Sequence, residues 1–171
     1  MNISKSVLSD DIFFTIGISE LLSKELIDEF YYIIDVDDSN LHLISKYSSS
    51  EKNVVAFIND ALDYYALNYL DNVIFIDKKW TVNEIMSCLF VKGARNDYWK
   101  KNTLSERECE VLSYIQRGMQ SSEISIMLGI STKTFYSHRR NLMSKLKLAN
   151  RVIFYRNVAK FSKYKENLFK D

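Results

Sequence analysis

The 171-residue chain contains no proline, four glycines and two cysteines. Without proline, and with so few glycines, the connections between elements should be short. Cys88 and Cys109 are too few for a disulfide framework or a thiolate metal site, and both fall in apolar-periodic stretches where core packing accounts for them. That usage fits a reducing cytoplasm. Long apolar runs are also missing, the longest being four or five residues, so no segment is long enough for a membrane helix. The opening "MNISKSVLSDD" lacks the basic-then-apolar layout of a signal peptide, and the expected location is cytoplasmic. No nucleophile–base pair, phosphate loop or metal-ligand spacing occurs. Neither an enzyme nor a cofactor or metal is therefore expected. What the chain has in plenty is apolar surface: it is 47% hydrophobic and 13% aromatic, which fills a core and excludes a disordered tail.

The formal charge of +1 hides a division. Residues 1–95 carry a net −7 and residues 96–171 a net +8. An acidic front half and a basic rear half predict two domains, the rear one meeting a polyanion. The stretch "KGARNDYWKKN", 92–102, has neither helical nor strand periodicity and reads as the linker, leaving domains at 1–91 and 103–171.

The rear half reads as a string of capped helices. In "LSERECEVLSYIQRG" Ser105 and Glu108 form a capping box, Leu104, Val111, Leu112, Ile115 and Met119 recur at helical spacing, and Gly118 fits the stop. "QSSEISIMLG" follows, with Ile124, Met127 and Leu128 as an apolar stripe and Gly129 as its stop. Ser131 then caps a third helix. Two short helices joined by a tight turn describe a helix-turn-helix. On the third helix, Phe135, Leu142 and Leu146 define a buried side. The opposite side gathers Lys133, Tyr136, Ser137, Arg140, Ser144 and Lys147, without an acid. A solvated helix normally mixes charges, because opposite charges four residues apart stabilise it. A helix entering the major groove needs cations against phosphate and long donors to reach base edges. The expected partner is therefore double-stranded DNA.

"LSERECEVL", "EISIMLGIS", "KTFYSH" and "KLKLANR" resemble, in order and spacing, the LuxR/GerE-type helix-turn-helix. The resemblance implies an all-α four-helix DNA-binding domain of a bacterial transcription regulator, whose fourth helix commonly forms a dimer contact. It places base readers at Tyr136, Ser137 and Arg140. Backbone contacts fall at Ser131, Thr132, Lys133, Thr134, His138, Lys145 and Arg151. Phe135 and Tyr136 depart from the family pattern, which has a small aliphatic residue and often a lysine there, so the target sequence is not transferable. Arg139 points nearer the core edge and reads as structural. On the last helix Val152, Tyr155, Val158, Ala159 and Ser162 are expected to face the domain. Ile153, Phe154, Asn157 and Phe161 are the dimer candidates.

In the front half, 3–8, 30–35, 53–58 and 73–77 read as strands, and 12–26, 39–48, 60–70 and 81–91 as helices. The alternation predicts an α/β open parallel sheet. Asp10, Asp11 and Asp35 fall at the carboxyl ends of strands, where such sheets bind ligands, and Lys78 follows the last strand. "SVLSDDIFFTIGISELL" and "VIFIDKKWTVNEIMSCL" resemble the first and last strand–helix pairs of the receiver domain of response regulators. That resemblance implies two acids holding Mg²⁺, a phosphorylated aspartate at Asp35 and a pairing lysine at Lys78. The domain is shorter than a receiver, with a strand and helix missing between Asp11 and Asp35 and a further shortfall before strand 53–58. Near the end of strand 53–58 the candidates Phe57, Ile58 and Asn59 provide no switching hydroxyl. The expectation is a phosphorylation-independent pseudo-receiver, with Lys78 as the compensating charge. The alternatives are a true phosphorylatable response regulator and an auxiliary regulator that heterodimerises with another LuxR-type protein. RNA polymerase is a further expected partner.

Overall fold

A computed structural model describes residues 3–37, 40–68, 70–91 and 104–158. These fall into two compact units, one reaching Val91 and the other starting at Leu104. The predicted linker 92–102 lies outside the described residues, as do Ala159, Phe161 and Ser162.

The front unit is an α/β layer structure. Its strands are β1 (Val7–Leu8), β2 (Tyr31–Asp35), β3 (Asn53–Ile58) and β4 (Val73–Asp77). They form one parallel sheet in the order β1-β2-β3-β4. The helices are α1 (Ile12–Leu21), α2 (Lys24–Phe30), α3 (Leu41–Ser48), α4 (Ala61–Leu67) and α5 (Val82–Phe90). Two expectations are corrected here. The first strand is confined to Val7 and Leu8, because Ser4 and Ser6 spend their groups on a turn, with Val7 N donating to Ser4 O and Ser6 N to Ser4 Oγ. The predicted helix 12–26 is two helices. Leu22 is extended, and Ser23 caps a new start by accepting from Leu26 N at 3.3 Å.

The period-2 strands bury both faces, as a parallel sheet with helices on each side must. Ile33, Val55, Phe57, Ile74 and Ile76 pack with Ile18 and Leu22, Ile27 of α2, and Cys88 and Leu89 of α5. Phe14 of α1 meets Phe57 edge-on at 5.1 Å on this face. On the other face Tyr32 stacks on Tyr47 of α3 at 4.2 Å, and Phe75 meets Tyr64 of α4 at 5.0 Å. Consecutive strands step in one direction across the sheet. The first crossover runs over one face and the next two run over the other, so their hands are opposite. Right-handed crossovers are strongly favoured. At least one connection therefore takes the disfavoured hand. A chain that lost a strand and helix between β1 and β2 would show this geometry.

The rear unit is all-α: α6 (Glu106–Gln116), α7 (Ser121–Met127), α8 (Thr132–Lys145) and α9, described over residues 151–158. The Ser105–Glu108 capping box forms in both directions. All three fully described helices end in the same motif. Gly118 and Gly129 take positive φ, and Met119 N and Ile130 N reach back five residues to Tyr114 O and Ser125 O. After α8, Lys147 holds that left-handed position at φ 55°, with Leu148 N bonded to Met143 O. The core holds Leu104, Val111, Leu112, Ile115, Ile124, Leu128, Phe135, Leu142, Leu146, Phe154 and Val158. Met127, expected in the α7 stripe, is exposed, and Ser125 is buried in its place. Ser125 sits flush because its hydroxyl is satisfied by Ser121 O at 2.8 Å.

Candidate nucleic-acid interface and receiver-like pocket

Helix α8 begins at Ser131, whose Oγ accepts from Thr134 N at 3.0 Å and bonds the Thr134 hydroxyl at 2.8 Å. Phe135 and Leu142 are fully buried on one side. That fixes the rotation of the helix, and Lys133, Tyr136, Ser137, Arg140, Ser144 and Lys147 are all exposed. Of the ten residues expected to contact DNA, nine are exposed and His138 is half-buried. Ser137 Oγ donates back to Lys133 O at 3.2 Å, which leaves its lone pairs outward.

A cleft of about 650 Å³ opens beside the outer face, lined by Tyr136, Arg139, Arg140, Met143, Ser144, Leu148 and Arg151. Three guanidinium groups around one open cleft suit an anion. Arg139 was not singled out by sequence as a contact residue. Its guanidinium carbon lies 4.7 Å from the Tyr136 ring centroid, and it donates to Tyr155 Oη at 3.3 Å. Its spacing of three residues from Tyr136 was the available signal.

Lys145 is placed differently from its neighbours. Its ammonium donates to Glu108 Oε2 at 2.7 Å, tying the end of α8 to the start of α6. Glu108 is buried, which pushes its carboxyl up, but the bonds from Lys145 and from the Ser105 N–H outweigh this and hold it below its ordinary value.

The last helix is capped by Asn150, whose Oδ1 accepts from Ile153 N at 3.0 Å. Phe154, expected among the dimer candidates, is fully buried together with Val158. Val152, expected to face the domain, is 75% exposed, and Tyr155 is exposed as well. Four consecutive apolar residues leave the phase of this helix open in the sequence. The large Phe154 ring gains most from burial and sets it. Ile153 and Asn157 are half-buried.

In the front unit, Asp35 is buried at the end of β2. It forms an ion pair with Lys78 through Oδ1 and accepts from Ser9 Oγ at 2.6 Å through Oδ2. Lys78 also donates to Val36 O at 3.1 Å and to Asn59 Oδ1 at 3.0 Å, which holds its ammonium beside Asp35. Asn59 in turn donates to Val36 O at 2.9 Å and to Asp63 Oδ2 at 3.1 Å. The predicted cluster is thereby redrawn. Asp10 is exposed in the turn after β1, and Asp11 caps α1 by accepting from Phe13 N at 2.8 Å. The group that closes on Asp35 is the Ser9 hydroxyl, and Asn59 stands where a switching hydroxyl was sought. Among the described residues no three His, Cys, Asp or Glu side chains are grouped to hold a metal ion. Asp35 already has a cation and a hydroxyl on its two oxygens. This donor set does not fit the Mg²⁺ site of a receiver.

Comparison with known proteins agrees with the rear unit's geometry. Residues 102–158 match the GerE model, described as bacterial regulatory proteins of the luxR family. The transcriptional regulatory protein UhpA of Escherichia coli K12 is 29% identical over 129 residues, covering 68% of this chain and 65% of UhpA. The transcriptional regulatory protein TdiR of Thauera aromatica is 50% identical over 46 residues, covering 27% of this chain and 20% of TdiR. The chain thus spans less than two thirds of the curated relatives it matches. A solved structure of RcsB from Salmonella enterica serovar Typhimurium, bound to promoter rprA in the presence of phosphomimetic BeF3⁻, aligns over 90% of this chain and 99% of that one, with 22% identity and a TM-score of 0.47. Residues 102–158 are thus similar to the GerE domain of the luxR family of bacterial regulatory proteins.

Proposed function

We propose that this protein is a sequence-specific DNA-binding bacterial transcription regulator that acts as a dimer and is not controlled by phosphorylation of its front unit. The observation that carries the reading is the outer face of α8. It is exposed from Lys133 to Lys147, holds cations and hydrogen-bonding groups, and has no acid. Tyr136, Ser137 and Arg140 are the base readers. Ser131, Thr132, Lys133, Thr134, His138 and Arg151 hold the phosphates. Val152, Ile153, Tyr155 and Asn157 are exposed or half-buried on the last helix and supply the contact between two copies.

In equilibrium binding to a selected operator, Arg140→Ala should cost about 1–3 kcal/mol and relax base preference at one position of each half-site. Lys133→Ala should weaken all sequences alike and lower the salt slope by about one. Recovery of no shared motif from genome-wide footprinting of the wild type would refute the reading.

A further inference from the structure

We propose that Arg139 is a positioning residue for base recognition, which holds the Tyr136 ring on the reading face and ties it to the last helix through Tyr155. The proposal rests on the DNA-binding reading above and adds a residue that the reading does not use.

Tyr136 is the only aromatic residue on the outer face of α8, and it is 45% exposed. An aromatic side chain this open has free torsions, and a contact that must be ordered on binding loses affinity to that ordering. Arg139 removes the freedom in advance. It lies one turn along the same helix, with its guanidinium carbon 4.7 Å from the Tyr136 ring centroid and 5.8 Å from that of the buried Phe135. A cation over a ring face is attracted by the ring's quadrupole. Phe135 is fully buried, so one side of the guanidinium abuts a fixed group.

The far side is fixed too, because Arg139 Nη1 donates to Tyr155 Oη at 3.3 Å. Tyr155 belongs to the last helix, whose phase is locked by Phe154 and Val158 in the core. The chain Tyr136–Arg139–Tyr155 therefore runs from the reading face to a second packed element. No carboxylate pairs with Arg139 among the described residues. Rings and a phenol hold the guanidinium without cancelling its charge, which a phosphate-facing surface requires. Lysine could supply the charge at this position but not a flat, delocalised group to lie against the ring.

The test uses the full chain, a library of randomised duplexes for site selection, and binding to the selected site across a salt series. Tyr136→Ala and Arg139→Ala should relax preference at the same base positions, each weakening the selected site by about tenfold. The double variant should be no more relaxed than Tyr136→Ala alone, since the two act as one unit. Arg139→Lys is the decisive variant, because it keeps the charge. It should retain wild-type affinity for random DNA and the wild-type salt slope, yet still lose preference at the Tyr136 positions. Tyr155→Phe removes only the acceptor and should give a smaller relaxation at those positions. It also serves if Arg139→Ala proves poorly folded. If Arg139→Lys selects the wild-type motif with wild-type affinity, or if Arg139→Ala weakens every sequence equally, Arg139 is an ordinary phosphate contact and the proposal is overturned. A wild type that selects no motif would instead overturn the DNA-binding reading itself.

Discussion

Asp63 accepts from Asn59 N at 2.8 Å while buried at the start of α4. Burial raises its pKa from 3.8 to about 6, and the neighbouring Asp60 adds to this. The Asn59 bonds and the Lys78 charge act the other way. The folded state therefore holds this proton more tightly than the unfolded chain. The resulting stability is present below about pH 4 and lost as the pH rises through 6, by roughly 2–3 kcal/mol. Asp63→Asn keeps an acceptor for Asn59 and has no charge to bury. Thermal unfolding between pH 4 and 6 should lose this slope, and the variant should be the more stable at pH 7. An unchanged slope would assign the effect to another group. Lys147 is a second single-residue strain, a side chain at φ 55° where Gly118 and Gly129 serve the two preceding helices. Lys147→Gly should raise the rear unit's stability by about 1 kcal/mol in denaturant titration. It should also weaken DNA binding through the lost charge. Neither residue announced itself in the sequence. Asp63 reads as one more acid in an acidic half, and its environment depends on Asn59 and Lys78 meeting across strand ends.

Helix α8 was legible at the level of the element because three buried positions, Phe135, Leu142 and Leu146, recur at helical spacing and leave one rotation. The outer face then follows, and every residue assigned to it is exposed. The last helix was not legible, because Val152, Ile153, Phe154 and Tyr155 are consecutive and apolar. Only the contest for core volume decides that Phe154 turns inward. Lys145 shows a different limit. Spacing puts it among the phosphate contacts, but Glu108, 37 residues away in sequence, claims its ammonium. Lys145→Met should leave the Glu108 carboxyl buried with only its Ser105 bonds and destabilise the rear unit by about 1–2 kcal/mol, since Lys145 is itself nearly half exposed. The Glu108 carboxyl sits below its ordinary value, so its stabilisation holds at neutral pH and is lost as the pH falls through that depressed value. The variant's deficit should shrink in acid. A large drop in salt slope with no change in melting would restore Lys145 as a phosphate contact.

For the whole molecule, the question is whether the front unit can receive a signal as a receiver does. By length the front unit falls short of a receiver, and its four parallel strands are joined by crossovers of both hands. The sequence did not expose Ser9, and it offered Asn59 only as a residue without a hydroxyl, because neither residue type signals a pocket without the strand register that gathers β1, β2 and β3. Together these groups make a closed network in which Asp35 is neutralised by Lys78, and Lys78 is held by Val36 and Asn59. A phosphoryl donor would have to displace the lysine and the Ser9 hydroxyl before reaching an Asp35 oxygen. Asp35→Asn should therefore leave operator affinity and dimerisation nearly unchanged, and acetyl phosphate with Mg²⁺ should alter neither. The substitution removes an ion pair but leaves Lys78 two other acceptors. Lys78→Met leaves Asp35 charged and buried with Ser9 as its remaining hydrogen-bond donor, so it should lower front-unit stability more, by about 2 kcal/mol. Control would then lie in the amount of protein made or in a partner on the acidic unit. Mass spectrometry decides the matter together with operator titration. A phosphoryl group found on Asp35, with tighter binding that Asp35→Asn abolishes, would make the Lys78 pair a resting state that phosphorylation opens.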